Sequence, residues 1–153
     1  VIAPIISPRQ RERIKSHIDD ARAKGANVIG GEWEGNRCQP TLLTEVSEDM
    51  TVCQTETFGP VTAIYPIENY EEGLEKANDT EYGLSSAIFT KDIDKAFHFV
   101  RNSNAGMCHI NGPTIHDEAH VPFGGNGESG VGREGTDADM EAMTELKGIT
   151  VQL

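Results

Sequence analysis

The sequence predicts an α/β fold: a parallel sheet built through βαβ crossovers, followed by a separate strand at the C-terminus. Two observations in the middle of the chain carry the first part. Between Val61 and Asn111, short apolar runs alternate with helical periods, strand, helix, strand, helix, strand in about 50 residues, which is the pattern of a parallel sheet with right-handed crossovers. Each helical period also begins at a residue that caps helices well, Asn69 and Asp92. The third observation is the ending Ile149-Thr150-Val151-Gln152-Leu153, which alternates like a strand and needs a partner edge in this subunit or another.

Taken in order, Ser7 and Pro8 open a first helix. Serine is a good N-cap, proline suits the first helical position, and Gln10 three residues after Ser7 completes a capping box. Ile14, Ile18 and Ala21 recur at helical spacing, and Lys24-Gly25 supplies a basic last turn and a stop. His17, alone in this helix, reads as a surface or packing residue. Asn27 to Gly31 reads as a short strand, Gly35 to Pro40 as a turn, and Thr41-Leu42-Leu43 as an extended piece leading on through Val46. Val61 to Tyr65 is a strand. A helix follows from about Tyr70 to Asn78, with Glu72 three residues after its cap Asn69, and Leu84 to Thr90 is the next strand. Asp92 caps a helix whose Ile93, Ala96, Phe97 and Val100 keep one apolar face, and Met107 to Asn111 is the third strand. A last, acidic helix lies within Thr136 to Lys147.

Composition bounds the function. The 153 residues are one domain's worth of chain, and a hydrophobic content of 37% with 25% charged is ordinary for a soluble globular protein. A formal net charge of -12 repels phosphate backbones and anionic lipid, which disfavours nucleic-acid and membrane-surface binding. No apolar run approaches the roughly 20 residues that a membrane helix needs, and no basic-then-apolar leader is present, so a cytoplasmic location is expected. Cys38, Cys53 and Cys108 are odd in number and widely spaced, which argues for reduced thiols rather than a disulfide framework or a zinc site. The chain starts at Val1 and runs almost directly into a helix start, so it reads like a piece of a longer protein.

Two stretches carry candidate chemistry. In Thr55-Glu56-Thr57-Phe58-Gly59-Pro60 a carboxylate and an aromatic ring lie two residues apart, and side chains two apart on an extended chain point the same way. Glu56 and Phe58 thus suit a sugar joined to an aromatic ring; the alternative is an acidic loop residue beside a core phenylalanine. The second stretch is the loop after Asn111, at the carboxyl end of a strand, where ligands of parallel sheets bind. It contains His116, Asp117, Glu118 and His120. Neighbours on an extended chain point apart, which weakens His116 with Asp117, or His120 with Glu118, as a ligand set, and no metal site is expected. Gly125, Gly127 and Gly130 spell G-x-G-x-x-G, but too little chain follows for a crossover helix and its return strand, so the match is rejected as a dinucleotide fingerprint. A glycine-rich segment that lets backbone pass close to a ligand or neighbour is the better account. Cys108 with a neighbouring histidine offers a thiol hydrolase, yet Cys108 sits in a strand pattern with no helix N-terminus or cation to activate it.

Together, Glu56-Thr57-Phe58-Gly59-Pro60, Tyr82-Gly83-Leu84-Ser85-Ser86, Asn111, and Pro122-Phe123-Gly124-Gly125 with Ser129-Gly130-Val131-Gly132-Arg133-Glu134 resemble the aldehyde dehydrogenase superfamily, in order and over essentially the whole chain. The stretch from His109 to Ala119 and the ending Thr144-Glu145-Leu146-Lys147 look like its benzaldehyde, vanillin and salicylaldehyde branch. The resemblance implies oxidation of an aromatic aldehyde to the acid through a cysteine thiohemiacetal, with hydride passing to NAD or NADP. Glu56 matches the glutamate that binds the nicotinamide ribose, and Phe58 matches the aromatic near the nicotinamide. Asn111 matches a position that supports the active-site loops, while Ile115, His116, Asp117 and Phe123 match part of the substrate funnel. It further implies residues 1–144 as the C-terminal portion of the catalytic domain and 145–153 as an oligomerisation strand in a homo-oligomer, dimer or tetramer. The family's nucleophilic cysteine, general-base glutamate and cofactor domain have no counterpart here, so the chain alone is expected to be inactive. The sequence departs from the family at Thr55, where many relatives carry a second glutamate, at Asn126-Gly127-Glu128, where a lysine is usual, and at Gly148, where a bulky residue is usual. The alternative is a free-standing, non-catalytic structural or oligomerisation module that keeps the motifs as scaffold.

Overall fold

The structure, a computed structural model, describes residues 2–116, 118–135 and 137–152, and the chain divides into two compact units, 1–67 and 68–153. In the first unit, helix α1 spans Pro8–Ala23, with Ser7 Oγ accepting from Gln10 N at 3.2 Å. Its apolar positions are buried, Ile14 and Ala21 at 0% exposure and Ile18 at 2%. Strand β1 (Asn27–Ile29) precedes a small hairpin of β2 (Trp33–Glu34) and β3 (Arg37–Cys38), over which the Arg11 guanidinium lies 5.3 Å from the Trp33 ring. Strand β4 (Thr41–Thr44) is central: it pairs antiparallel with β1 and parallel with β5 (Val61–Ala63), so Leu43 sits between Val28 and Ala63.

A parallel pair requires a crossover, and the one between β4 and β5 contains the short helix α2 (Thr51–Gln54). Its start has no side-chain cap of its own; Asp20 of α1 accepts from Thr51 N at 2.8 Å instead. That backbone N–H, followed by the Lys24 ammonium, holds the Asp20 carboxyl below the usual carboxylate range. Two core clusters result. Ala21, Ala26, Leu43 and Met50 pack together, and Ile14, Ile18 and Cys38 form the second.

The second unit holds α3 (Tyr70–Asn78), β6 (Tyr82–Gly83), β7 (Ser85–Ile88), α4 (Ile93–Asn102), β8 (Met107–Ile110), β9 (Asn126–Gly127) and α5 (Asp137–Met143). The cap residues act as their sequence context requires. Asn69 Oδ1 accepts from Glu72 N at 2.9 Å, and Asp92 Oδ1 accepts from Asp94 N and Lys95 N. β7 and β8 pair in parallel across α4, and β6 pairs antiparallel with β9.

Several expectations need correction. Two of the three strands between Val61 and Asn111 form the parallel pair, β7 with β8; β5 belongs to the first unit's sheet, where β4 takes its pairing. Gln10 does not close a capping box: its side chain reaches away from Ser7, Nε2 donating to the carbonyls of Thr57 and Phe58 at 2.7 and 2.9 Å. On α4 the buried residues are Ala96 and Phe99, whereas Ile93, Phe97 and Val100 are 62%, 48% and 37% exposed. Within this single chain, residues 144–152 carry no strand, and Ile149 and Val151 are exposed. A strand needs an edge to pair with, and no described strand pairs with this segment.

Leu43 is fully buried at the junction of both strand pairings. Leu43→Ala should destabilise the fold by about 2–5 kcal/mol, read as a lower denaturant midpoint.

Candidate functional site

The predicted carboxylate and ring stand at the turn between α2 and β5. Glu56 and Phe58 are exposed, Phe58 to 75%, and Thr57 between them is buried at 8%. The expected alternation holds for burial, though the backbone is not simply extended: Phe58 has φ +53, a conformation rare for a bulky residue. Phe58 belongs to neither core cluster of this unit. Thr57 is turned inward, its Oγ1 2.9 Å from His17 Nδ1. Burial, and then the nearby Arg13 charge, lower the His17 pKa, while Asp20 acts the other way. His17 is thus a packing residue, as its isolation in the helix indicated, but one tied to the middle of the candidate turn.

In the second unit, Asn111 follows β8 with φ +55. Its side chain bonds the backbone of Thr90 from both ends, Nδ2 donating to the carbonyl at 2.9 Å and Oδ1 accepting from the N–H at 2.8 Å. Asparagine tolerates this left-handed conformation better than most residues. The clamp joins the ends of the segments that leave the two parallel strands, where chemistry is expected on such a sheet.

A cavity of about 280 Å³ runs along β8, lined by Cys108, His109, His116, Glu118, Val121 and Phe123 among others. His116 and Phe123, both predicted, meet here. Ile115 does not line it and is 93% exposed, and Asp117 lies outside the described residues. His116 pairs with Glu118, Nε2 to Oε1 at 3.1 Å. Sequence reasoning singled out no role for His109, whose Nε2 is buried without a hydrogen-bond partner among the described residues. Strand alternation gave no signal, because both faces of β8 are half-buried.

The remaining candidates fare as follows. The Cys108 thiol lies 2.8 Å from Ser86 Oγ and has no imidazole or cation among its described hydrogen-bond partners. Burial pushes the Cys38 and Cys53 thiols up, away from the reactive thiolate. No cluster of three or more His, Cys, Asp or Glu able to hold a metal occurs among the described residues. The glycines of the G-x-G-x-x-G match lie in a loop closed by the Phe123–Glu134 bridge, not at the start of a helix. Close backbone approach explains glycine here: a Cβ on Gly106 would fall 2.1 Å from the Gly124 carbonyl oxygen. Arg133 fastens the loop through the Gly125 carbonyl and Asn126 Oδ1.

The first unit thus holds an exposed carboxylate and ring on one turn, and in the second unit a cavity runs along β8. Residues 1–149 match the aldehyde dehydrogenase family, and the chain belongs to it. It is 46% identical to the vanillin dehydrogenase of Pseudomonas fluorescens over 99% of its own length and 32% of that protein. Among solved structures, the salicylaldehyde dehydrogenase of Pseudomonas putida G7, complexed with salicylaldehyde, superposes with a TM-score of 0.93 at 39% identity, covering 99% of this chain and 32% of that one. The betaine aldehyde dehydrogenase of Staphylococcus aureus in complex with NAD+ superposes at 0.84 with 35% identity, over 91% of this chain and 29% of that one. The chain thus spans about a third of the length of the relatives it matches. No helix among the described residues is long and apolar enough to cross a membrane.

Two predictions follow from the geometry. Asn111→Ala should destabilise more than Asn111→Gly in thermal melts, since both lose the Thr90 clamp but only alanine is strained at φ +55. His17 resists protonation when folded, so the unfolded chain binds the extra proton as pH falls below about 6.5. Stability should therefore be full above that pH and decline below it, and the decline should be shallower in His17→Asn.

Proposed function

We propose that this chain is the C-terminal portion of the catalytic domain of an NAD(P)-dependent dehydrogenase that oxidises aromatic aldehydes to carboxylic acids. The observation that carries the reading is the exposed Glu56–Phe58 pair within a chain 46% identical to a vanillin dehydrogenase. A carboxylate and an unburied ring on one anchored turn fit the two halves of a nicotinamide riboside, a diol and a flat heterocycle. Once bound, that cofactor supplies the acceptor for the aldehyde's hydride. Glu56 accepts hydrogen bonds from the ribose hydroxyls, and Phe58 offers an apolar face that shields the ring from water. Asn111 holds the end of β8 to Thr90, which steadies the loop carrying the substrate-pocket residues Ile115, His116, Asp117 and Phe123. The thiol nucleophile and general base are assigned to the part of the protein that corresponds to the relatives' other two-thirds. In keeping with this, the 153 residues alone are expected to be inactive.

Exposed Phe89, Ile93 and Phe97 leave more apolar surface than a self-sufficient module needs, which speaks for a working part of a larger enzyme over a free-standing scaffold. Residues 145–153 are assigned to a strand that completes a sheet on another subunit, in a dimer or tetramer.

The test is made on the whole protein by following reduced nicotinamide formation with benzaldehydes and with straight-chain aldehydes. Benzaldehydes should give the higher kcat/KM. Glu56→Gln should raise the cofactor KM roughly 10- to 100-fold, since a charge-assisted hydrogen bond is worth about 1.5–3 kcal/mol. An unchanged cofactor KM would remove Glu56 from the ribose site.

A further inference from the structure

We infer that α1 is the template on which the cofactor-binding turn is set, and that Gln10 and His17 are positioning residues for Glu56 and Phe58. Gln10, Arg13, Ile14 and His17 are spaced i, i+3, i+4 and i+7, so they share one face of the helix. Each meets the turn. Arg13 donates to the Glu56 carbonyl, and His17 Nδ1 bonds Thr57 Oγ1 at 2.9 Å. Gln10 Nε2 donates to the Thr57 and Phe58 carbonyls at 2.7 and 2.9 Å, spending both of its hydrogens on neighbouring peptide units. Ile14 abuts Gly59 so closely that a Cβ there would lie 2.6 Å from both Ile14 Cδ1 and Cγ1. Four consecutive residues, Glu56 to Gly59, are therefore read off by one helical face.

This contact explains the exposure pattern. Drawing the Thr57 side chain inward onto His17 leaves the flanking Glu56 and Phe58 outward. Gln10 grips the two carbonyls on either side of the Phe58 nitrogen and α-carbon, which fixes the left-handed backbone that phenylalanine disfavours when free. Neither residue need touch the cofactor; each acts through the turn.

The functional consequence rests on the proposed cofactor role of Glu56 and Phe58, whereas the anchoring itself does not, and the experiment separates the two. In the whole protein without cofactor, Gln10→Leu should speed chymotryptic cleavage after Phe58 several-fold with little change in melting temperature, and Gln10→Lys, which keeps a donor for the two carbonyls, should restore resistance. His17→Ala should act in the same direction. In steady-state assays Gln10→Leu should raise the cofactor KM about tenfold, the loss expected for roughly one hydrogen bond. That effect should shrink below about twofold in a Phe58→Ala background, as coupled residues require. Unchanged cleavage in Gln10→Leu overturns the inference. So does an additive KM effect, which would mean that Gln10 acts independently of the turn. A protein with no nicotinamide-dependent activity, yet with faster cleavage in the variant, would sink the functional reading and leave the anchoring standing.

Discussion

Leu43 stands where three demands of the first unit meet. It is the third residue of β4, paired on one side with antiparallel β1 and on the other with parallel β5, and it has no solvent exposure. Its cluster includes Ala21 of α1 and Met50 just before α2, so helix, sheet and crossover close on one side chain. Burial of this kind stabilises at about 25 cal/mol per Å², and here it also fixes direction. With β4 held between two strands, β5 must leave beside it, and the turn that carries Glu56 and Phe58 must arrive at the foot of β5.

The two candidate sites share a design. In each, a non-glycine residue with positive φ sits just beyond or before a strand, Phe58 ahead of β5 and Asn111 after β8. Such a conformation persists only where surrounding bonds over-determine it. At Asn111 the residue supplies its own bonds, to Thr90. At Phe58 they come from another element, since the phenyl ring has no polar group to offer. Functional groups thus ride on short irregular segments while regular elements do the holding.

Much of the fold was legible because its signals are local. Ser7, Asn69 and Asp92 cap the helices they precede, and Ile14, Ile18 and Ala21 are buried as their spacing requires. The misses are non-local. Gln10 satisfies a capping box in sequence, yet its side chain is turned away from the helix end toward carbonyls 47 and 48 residues away. α2 was invisible because four residues make no period and its cap is Asp20, on a different helix. On α4 the true core face, Ala96 and Phe99, differs by a fraction of a turn from the stripe through Ile93, Ala96, Phe97 and Val100. The candidate turn was found from its motif and its two-apart spacing, but nothing in the motif announces the helix behind it, and His109 in the cavity wall enters the sequence only as the start of a family-like stretch, with no role of its own.

The hairpin of β2 and β3 has a spectroscopic consequence. Trp33 is the chain's single tryptophan, and it lies in the first unit with the Arg11 guanidinium over its indole. Selective excitation of that indole therefore watches residues 1–67 alone, and the cation above it makes the emission sensitive to any loosening of α1. The second unit, with Tyr70 and Tyr82 as its phenolic chromophores, would melt unseen. A fluorescence transition and a far-ultraviolet one that fail to coincide would then mean that the chain does not unfold in a single two-state step.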